Sequence, residues 1–117
     1  MACSNKILNA GIYLCVFSKA VPTYHLKYGN QILLSFSLKD GEGNGVHDFL
    51  KLNHLLPAHR DIICELLGAD FDERLLLDSK SLCLEIQKEN ELGEFEVTTR
   101  ISRDRRFNRI VAIRRVL

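Results

Sequence analysis

The sequence predicts a mainly β, α+β chain: an antiparallel Greek-key barrel of five to six strands, with one or two short helices between strands 3 and 4. Three observations point there. Apolar residues recur at every second position over several short stretches; the period turns helical over Pro57–Leu67; and the stretches are divided by turns rich in glycine, asparagine and aspartate. A chain of 117 residues suits one domain, 1–117, because two would each be too small to bury much core.

The elements follow in order. Gly11–Val21 is dense in β-branched and aromatic residues and reads as a strand, which Pro22 ends or bends because proline cannot donate to a ladder. Pro22–Asn30 reads as a connection closed by Gly29-Asn30. Gln31–Lys39 places Ile32, Leu34, Phe36 and Leu38 on one face and Ser35, Ser37 and Lys39 on the other, as a half-buried strand does. Asp40–Gly45, with three glycines, turns the chain into a hairpin partner, Val46–Leu52. In that partner Val46, Leu50 and Leu52 suit one face, and His47, Phe49 and Lys51 the other. Pro57–Leu67 spaces Ile62, Ile63, Leu66 and Leu67 as a helix does, and Gly68 stands where a left-handed cap belongs. Asp72 can cap a second short turn through Leu75–Leu77. Leu82, Leu84 and Ile86 alternate with Ser81, Glu85 and Gln87 and read as another strand, followed by a hairpin turn at Glu89–Gly93. Phe95, Val97, Thr99 and Ile101 mark the next strand, Arg103–Arg106 a basic connection, and Phe107–Val116 a final strand.

Hydrophobic residues make up 46% and charged residues 26%, the balance of a folded chain rather than a disordered one. No apolar run reaches the roughly 18 to 20 residues of a membrane span, and Met1–Lys6 leads into no signal-peptide pattern, so a cytoplasmic location is expected. Cysteines at 3, 15, 64 and 83 lack metal-type spacing and read as reduced thiols. The net charge of +1 conceals an asymmetry. Residues 1–39 hold four lysines and no acid, residues 40–96 hold fourteen acids against five bases, and residues 97–117 hold seven arginines against Asp104. If folding brings the two basic ends together, they make a surface for a polyanion; otherwise they pair with the acidic middle.

Two constellations carry chemistry. Tyr24, His25, Lys27 and Tyr28 interleave aromatic rings with bases, the combination that stacks the bases of a single-stranded nucleic acid and meets its phosphates. Phe49, Lys51 and Lys39 extend that set, and Lys19 adds a charge. Arg100, Arg103, Arg105, Arg106 and Arg109 fall within ten residues, and their guanidinium forks match phosphate geometry. The competing roles for these arginines are an edge strand guarded by charge, or pairing with Glu94 and Glu96. Arg114 and Arg115 are weaker candidates. Asp70, Asp72, Glu73 and Asp78 read as a solvated, capped helical turn rather than a cation site. His54 and His59, five apart, do not share a helix face, no nucleophile triad is readable, and the glycines of Asp40–Gly45 lack the lysine and helix of a phosphate loop. No enzyme, metal or cofactor is therefore expected.

The element order is that of the OB-fold, in which the first connection and the faces of strands 2 and 3 form the binding surface; the rival expectation is an open α+β sandwich with the same order. The chain also resembles small phage and prophage proteins akin to single-stranded-DNA-binding OB-fold proteins. The residues that carry the resemblance are Gly11-x-Tyr13, Lys27-Tyr28-Gly29-Asn30, Leu66-Leu67-Gly68-Ala69 and Phe107-Asn108-Arg109-Ile110, spread over nearly the whole chain. It departs from them at Leu77–Ser81, which lacks the glycine of a Leu-x-Gly step, and in an elongated hairpin from Leu82 to Ser102. The resemblance implies a non-enzymatic, largely sequence-independent binder of single-stranded DNA in phage replication or recombination. Proteins of those processes are the expected partners, with room for self-association. The alternative expectation is a protein-interaction or inhibitor module acting on a nucleic-acid enzyme.

Overall fold

The computed structural model describes residues 7–41 and 43–116; Cys3 and Lys6, named above, and Glu42 of the Asp40–Gly45 turn lie outside them. The chain forms β1 (Gly11–His25), β2 (Gly29–Leu38), β3 (Gly45–Lys51), α1 (Pro57–Leu67), a 3-10 turn (Glu73–Leu77), α2 (Ser79–Asn90), β4 (Glu94–Ile101) and β5 (Asn108–Val116). The fold is mainly β. Five antiparallel strands make one open sheet in the order β3-β2-β1-β4-β5, and the helices lie between β3 and β4 in the chain.

The alternation read from the sequence sets the faces. Ile32, Leu34 and Phe36 of β2 and Val46 and Leu50 of β3 are buried, together with Cys15 and Phe17 of β1 and Phe95 and Val97 of β4. Phe36 joins the sheet's two halves, meeting Phe17 at 5.8 Å and Phe95 at 5.7 Å in edge-to-face pairs. Ile62, Ile63 and Leu66 of α1 and Leu82, Cys83 and Ile86 of α2 cover this apolar side. Burial pushes the Cys15 and Cys83 thiols up to about 11, so neither is a ready nucleophile. Asn90 ties the layers together: its Nδ2 donates to the Leu66 and Ile86 carbonyls at 3.0 and 2.8 Å, and its Oδ1 accepts from Arg115 at 2.6 Å.

Three local expectations are corrected. The predicted strand through Leu82, Leu84 and Ile86 is helix α2, so the strands number five and the sixth is absent among the described residues. Leu82 and Ile86, four apart, suit a helix as well as a strand; Leu84, the residue that alternation counts as buried, is exposed. Asp78 decides the outcome locally, since its carboxylate accepts from the Ser81 N–H at 3.2 Å and the Ser81 hydroxyl at 2.8 Å and so caps α2. The missing glycine at Leu77–Ser81 and the elongated hairpin share an explanation: Leu77–Ser81 leads into this helix, and the stretch from Leu82 to Ser102 is the rest of α2 followed by β4. Second, Pro22 does not end β1. Beyond Val16 the strand has left β4, and a strand with one partner tolerates proline. Third, most of the expected Pro22–Asn30 connection is strand, turning only at Leu26–Tyr28. His25 Nδ1 accepts the Lys27 and Tyr28 N–H groups at 3.0 and 3.3 Å. Gly29 then takes φ +77°, and a side chain there would run into the Asn53 amide.

The pairing directions make the two edge strands, β3 and β5, run the same way. They approach each other closely, and the side chain of Asp48 bonds across the junction. The Asp48 carboxylate of β3 accepts the Ile110 N–H of β5 at 2.9 Å and Arg109 Nη1 at 3.0 Å, and takes its own neighbour's Phe49 N–H at 2.8 Å. Its side chain is only 1% exposed. A buried carboxylate is tolerable here because its oxygens hold three donors, one of them cationic.

Candidate functional site

The sheet's curl brings the β1–β2 hairpin, β3 and the start of β5 around a cleft of about 590 Å³. Thr23, Tyr24, His25 and Tyr28 come from the hairpin, His47, Phe49 and Lys51 from β3, and Arg106, Phe107 and Arg109 from the β5 side. A second cleft of about 370 Å³ continues past Leu56 and His59 to Arg100 and Val111. The two share Tyr28, Asp48, Phe49, Lys51 and Arg109, so they form one groove crossing β3. Residues from the beginning of the chain and from its arginine-rich end thus line one groove, although no lysine of residues 1–39 is among the described lining residues.

Charge along the groove is one-sided. Asp48 is the one acid among the described lining residues, and its carboxylate is already occupied. Lys51, Arg100 and Arg106 have no ion-pair partner among the described residues. Glu94 and Glu96, the acids that were expected to compete for these arginines, instead hold Lys39 at 3.0 Å and Arg114 at 3.0 Å. That removes Lys39 from the binding set. Arg114 and Arg115 are likewise engaged, the latter with Asn90 and with the Phe95 ring at 4.8 Å.

The predicted residues divide accordingly. Tyr24, Tyr28, Phe49, Lys51, Arg100, Arg106 and Arg109 line the groove. Lys27 flanks it with its ammonium 5.4 Å from the Tyr28 ring centre, and Lys19 lies close enough to His47 to disfavour a second charge there. Arg103 and Arg105 stand exposed on the β4–β5 loop, outside the lining, where Asp104 accepts the Ser102 hydroxyl at 2.7 Å and the Arg106 N–H at 3.1 Å. Arg109 is half committed to Asp48. Tyr28 has little free face, because Lys51 Nζ sits 3.7 Å from its centre and the His25 ring 4.7 Å away. The rings left open are Tyr24, 69% exposed, and Phe49, 43%; Phe107, 42% exposed and not among the expected stackers, has the Arg109 guanidinium 5.1 Å from its centre.

Asp48 was also missed. Its signal is an acid in the register of Val46 and Leu50, a core-facing place where a charge needs a partner. The acidic residues around the 3-10 turn have structural roles: Asp72 caps it and pairs with Arg74 at 2.9 Å, Glu73 pairs with Arg60, and Asp78 caps α2. Among the described residues no three His, Cys, Asp or Glu side chains gather as metal ligands.

Two groove histidines are held neutral. Burial pushes the His47 imidazole below its ordinary range, Lys19 adding to it, while its Nδ1 lies 2.8 Å from Ser35 Oγ. Burial also lowers His59, with Arg109 and Lys51 assisting and Asp48 opposing. The unfolded chain therefore takes up protons first as pH falls through about 6.5, and stability that is full above that value is lost toward the lower folded values. Thermal unfolding is expected at a lower temperature at about pH 5.5 than at about pH 7.5, with a smaller difference in His59→Gln. An identical melting temperature at the two pH values would contradict this.

No protein-family model, curated protein or solved structure matches the chain. No helix among the described residues is long and apolar enough to cross a membrane.

Proposed function

We propose that the chain is a non-enzymatic single-stranded-DNA-binding module, largely indifferent to sequence, of the phage replication and recombination type and acting in the cytoplasm. Its frame is an OB-like Greek-key barrel. The strand order, the same direction of β3 and β5, their junction through Asp48 and the helices between β3 and β4 all support that frame. The observation that carries the function is the groove itself: the open rings of Tyr24 and Phe49 and the exposed edge of the lining at Phe107 beside Lys51, Arg100 and Arg106, with no free carboxylate among the described lining residues. Rings accept any base on their faces, and cations track a backbone without reading it.

A fluorescence titration with oligo-dT across a salt series tests the reading. Lys19, Lys27, Lys51, Arg100 and Arg106 would meet about five phosphates, which gives log affinity against log salt a slope of about −3.5. Arg106→Ala should weaken all sequences about equally and take about 0.7 off that slope. A salt-independent affinity, or none at low salt, overturns the proposal; the latter outcome would turn the cationic groove toward a protein partner.

A further inference from the structure

Gln31 has no evident structural task. It pairs across the sheet with Thr23 of β1 and Lys51 of β3, so the three side chains form one row across the groove floor. It is 6% exposed, and it lines the cleft on which that remaining exposure opens. Thr23 Oγ1 beside it is buried without a partner among the described residues. A buried hydroxyl without a described partner, beside a carboxamide that lines the same concave site, calls for a ligand that supplies its hydrogen bond. Tyr24 and Phe49, lining the same cleft, are the open rings that would hold a flat ligand near them.

We propose, on the nucleic-acid reading above, that Gln31 receives the Watson–Crick edge of one unpaired base seated in the cleft. A carboxamide offers an acceptor oxygen next to an N–H donor. Against adenine or cytosine the oxygen accepts from the exocyclic amine and the N–H donates to the ring nitrogen. Turned over, it donates to the carbonyl of thymine or guanine and accepts from the ring N–H. The Thr23 hydroxyl rotates in the same way. A reader that can present its groups in either order contacts base edges without choosing among them. This explains how a groove can engage the edges, which only single strands leave free, and stay tolerant of sequence. Lys51, the third member of the row, supplies a charge beside the same nucleotide.

Removing the turnover should create a preference. Gln31→Glu carries acceptors only, which suit the adjacent N1–H and N2–H donors of guanine and oppose the carbonyls of thymine. The test is the ratio of affinities for d(TG) repeats and for oligo-dT of equal length. The ratio is expected near one in the wild type and about ten-fold higher in Gln31→Glu. Because it is measured within one variant, it does not depend on how much of the protein is folded. As a second arm, Gln31→Leu should bind oligo-dT about ten-fold more weakly and an abasic sugar-phosphate strand unchanged. An unchanged ratio, or an equal loss on the abasic strand, overturns the assignment. Wild-type protein that ignores both oligonucleotides removes the nucleic-acid reading itself, whereas wild-type binding with no effect of either variant removes only the role of Gln31.

Discussion

Asp48→Ala is expected to lower the stability of the fold by about 2 to 4 kcal/mol. The carboxylate is the acceptor for the Ile110 N–H, the Phe49 N–H and Arg109 at the junction of β3 and β5. Removing it leaves the buried Ile110 amide with nothing to meet. Arg109 is a smaller part of the cost, because its side chain is one-third exposed and can turn to water. Asp48→Asn should fall between, since its amide keeps one acceptor and turns a donor toward another donor. Urea unfolding measures both. If the midpoint of Asp48→Ala equals that of the wild type, the two edge strands are held together by apolar contact and the carboxylate is incidental.

The second large effect is on binding. Tyr24→Ala combined with Phe49→Ala should weaken oligo-dT binding by about a hundred-fold, at about 1 to 3 kcal/mol for each stacked base lost. The salt slope should stay as it was, since no cation is removed. Tyr28→Ala should do less to stacking than either, because Lys51 and His25 already occupy that ring. A double variant that binds as well as the wild type would show that the open rings do not touch bases. A double variant with a shallower slope would show that they position the cations instead.

The sheet was largely legible because its information is local. Ile32, Leu34 and Phe36 announce β2 by alternation alone, and Pro57 and Gly68 bracket α1 whatever lies around it. What failed needed information from elsewhere. Three apolar residues two apart, Leu82, Leu84 and Ile86, are too few to separate a strand from a helix, and the Asp78 cap that settles the matter looks like any loop aspartate. Pro22 reads as a strand end until it is known that β4 has already left β1. The site divides in the same way. Residue type told that Tyr24, Phe49 and the arginines suit a polyanion, and the topology gathers most of them. Availability was not readable: that Tyr28 is covered, that Lys39 and Arg114 are taken by Glu94 and Glu96, and that Arg109 answers to Asp48 are facts of pairing between residues far apart in the chain.

Asp48 and Ile110 stand 62 residues apart, so the carboxylate leaves the ribosome well before the amide that it will hold. At ordinary synthesis rates the interval is roughly 3 to 12 seconds. Through that time the outer rim of β3 offers unpaired backbone groups to any neighbouring nascent chain, and Phe49 makes the offer adhesive. An uncompensated negative charge turned toward the sheet's interior is one of the ways in which such a rim is made unattractive to strangers. The group that finally joins the two ends of the sheet would first keep intruders from taking its partner's place.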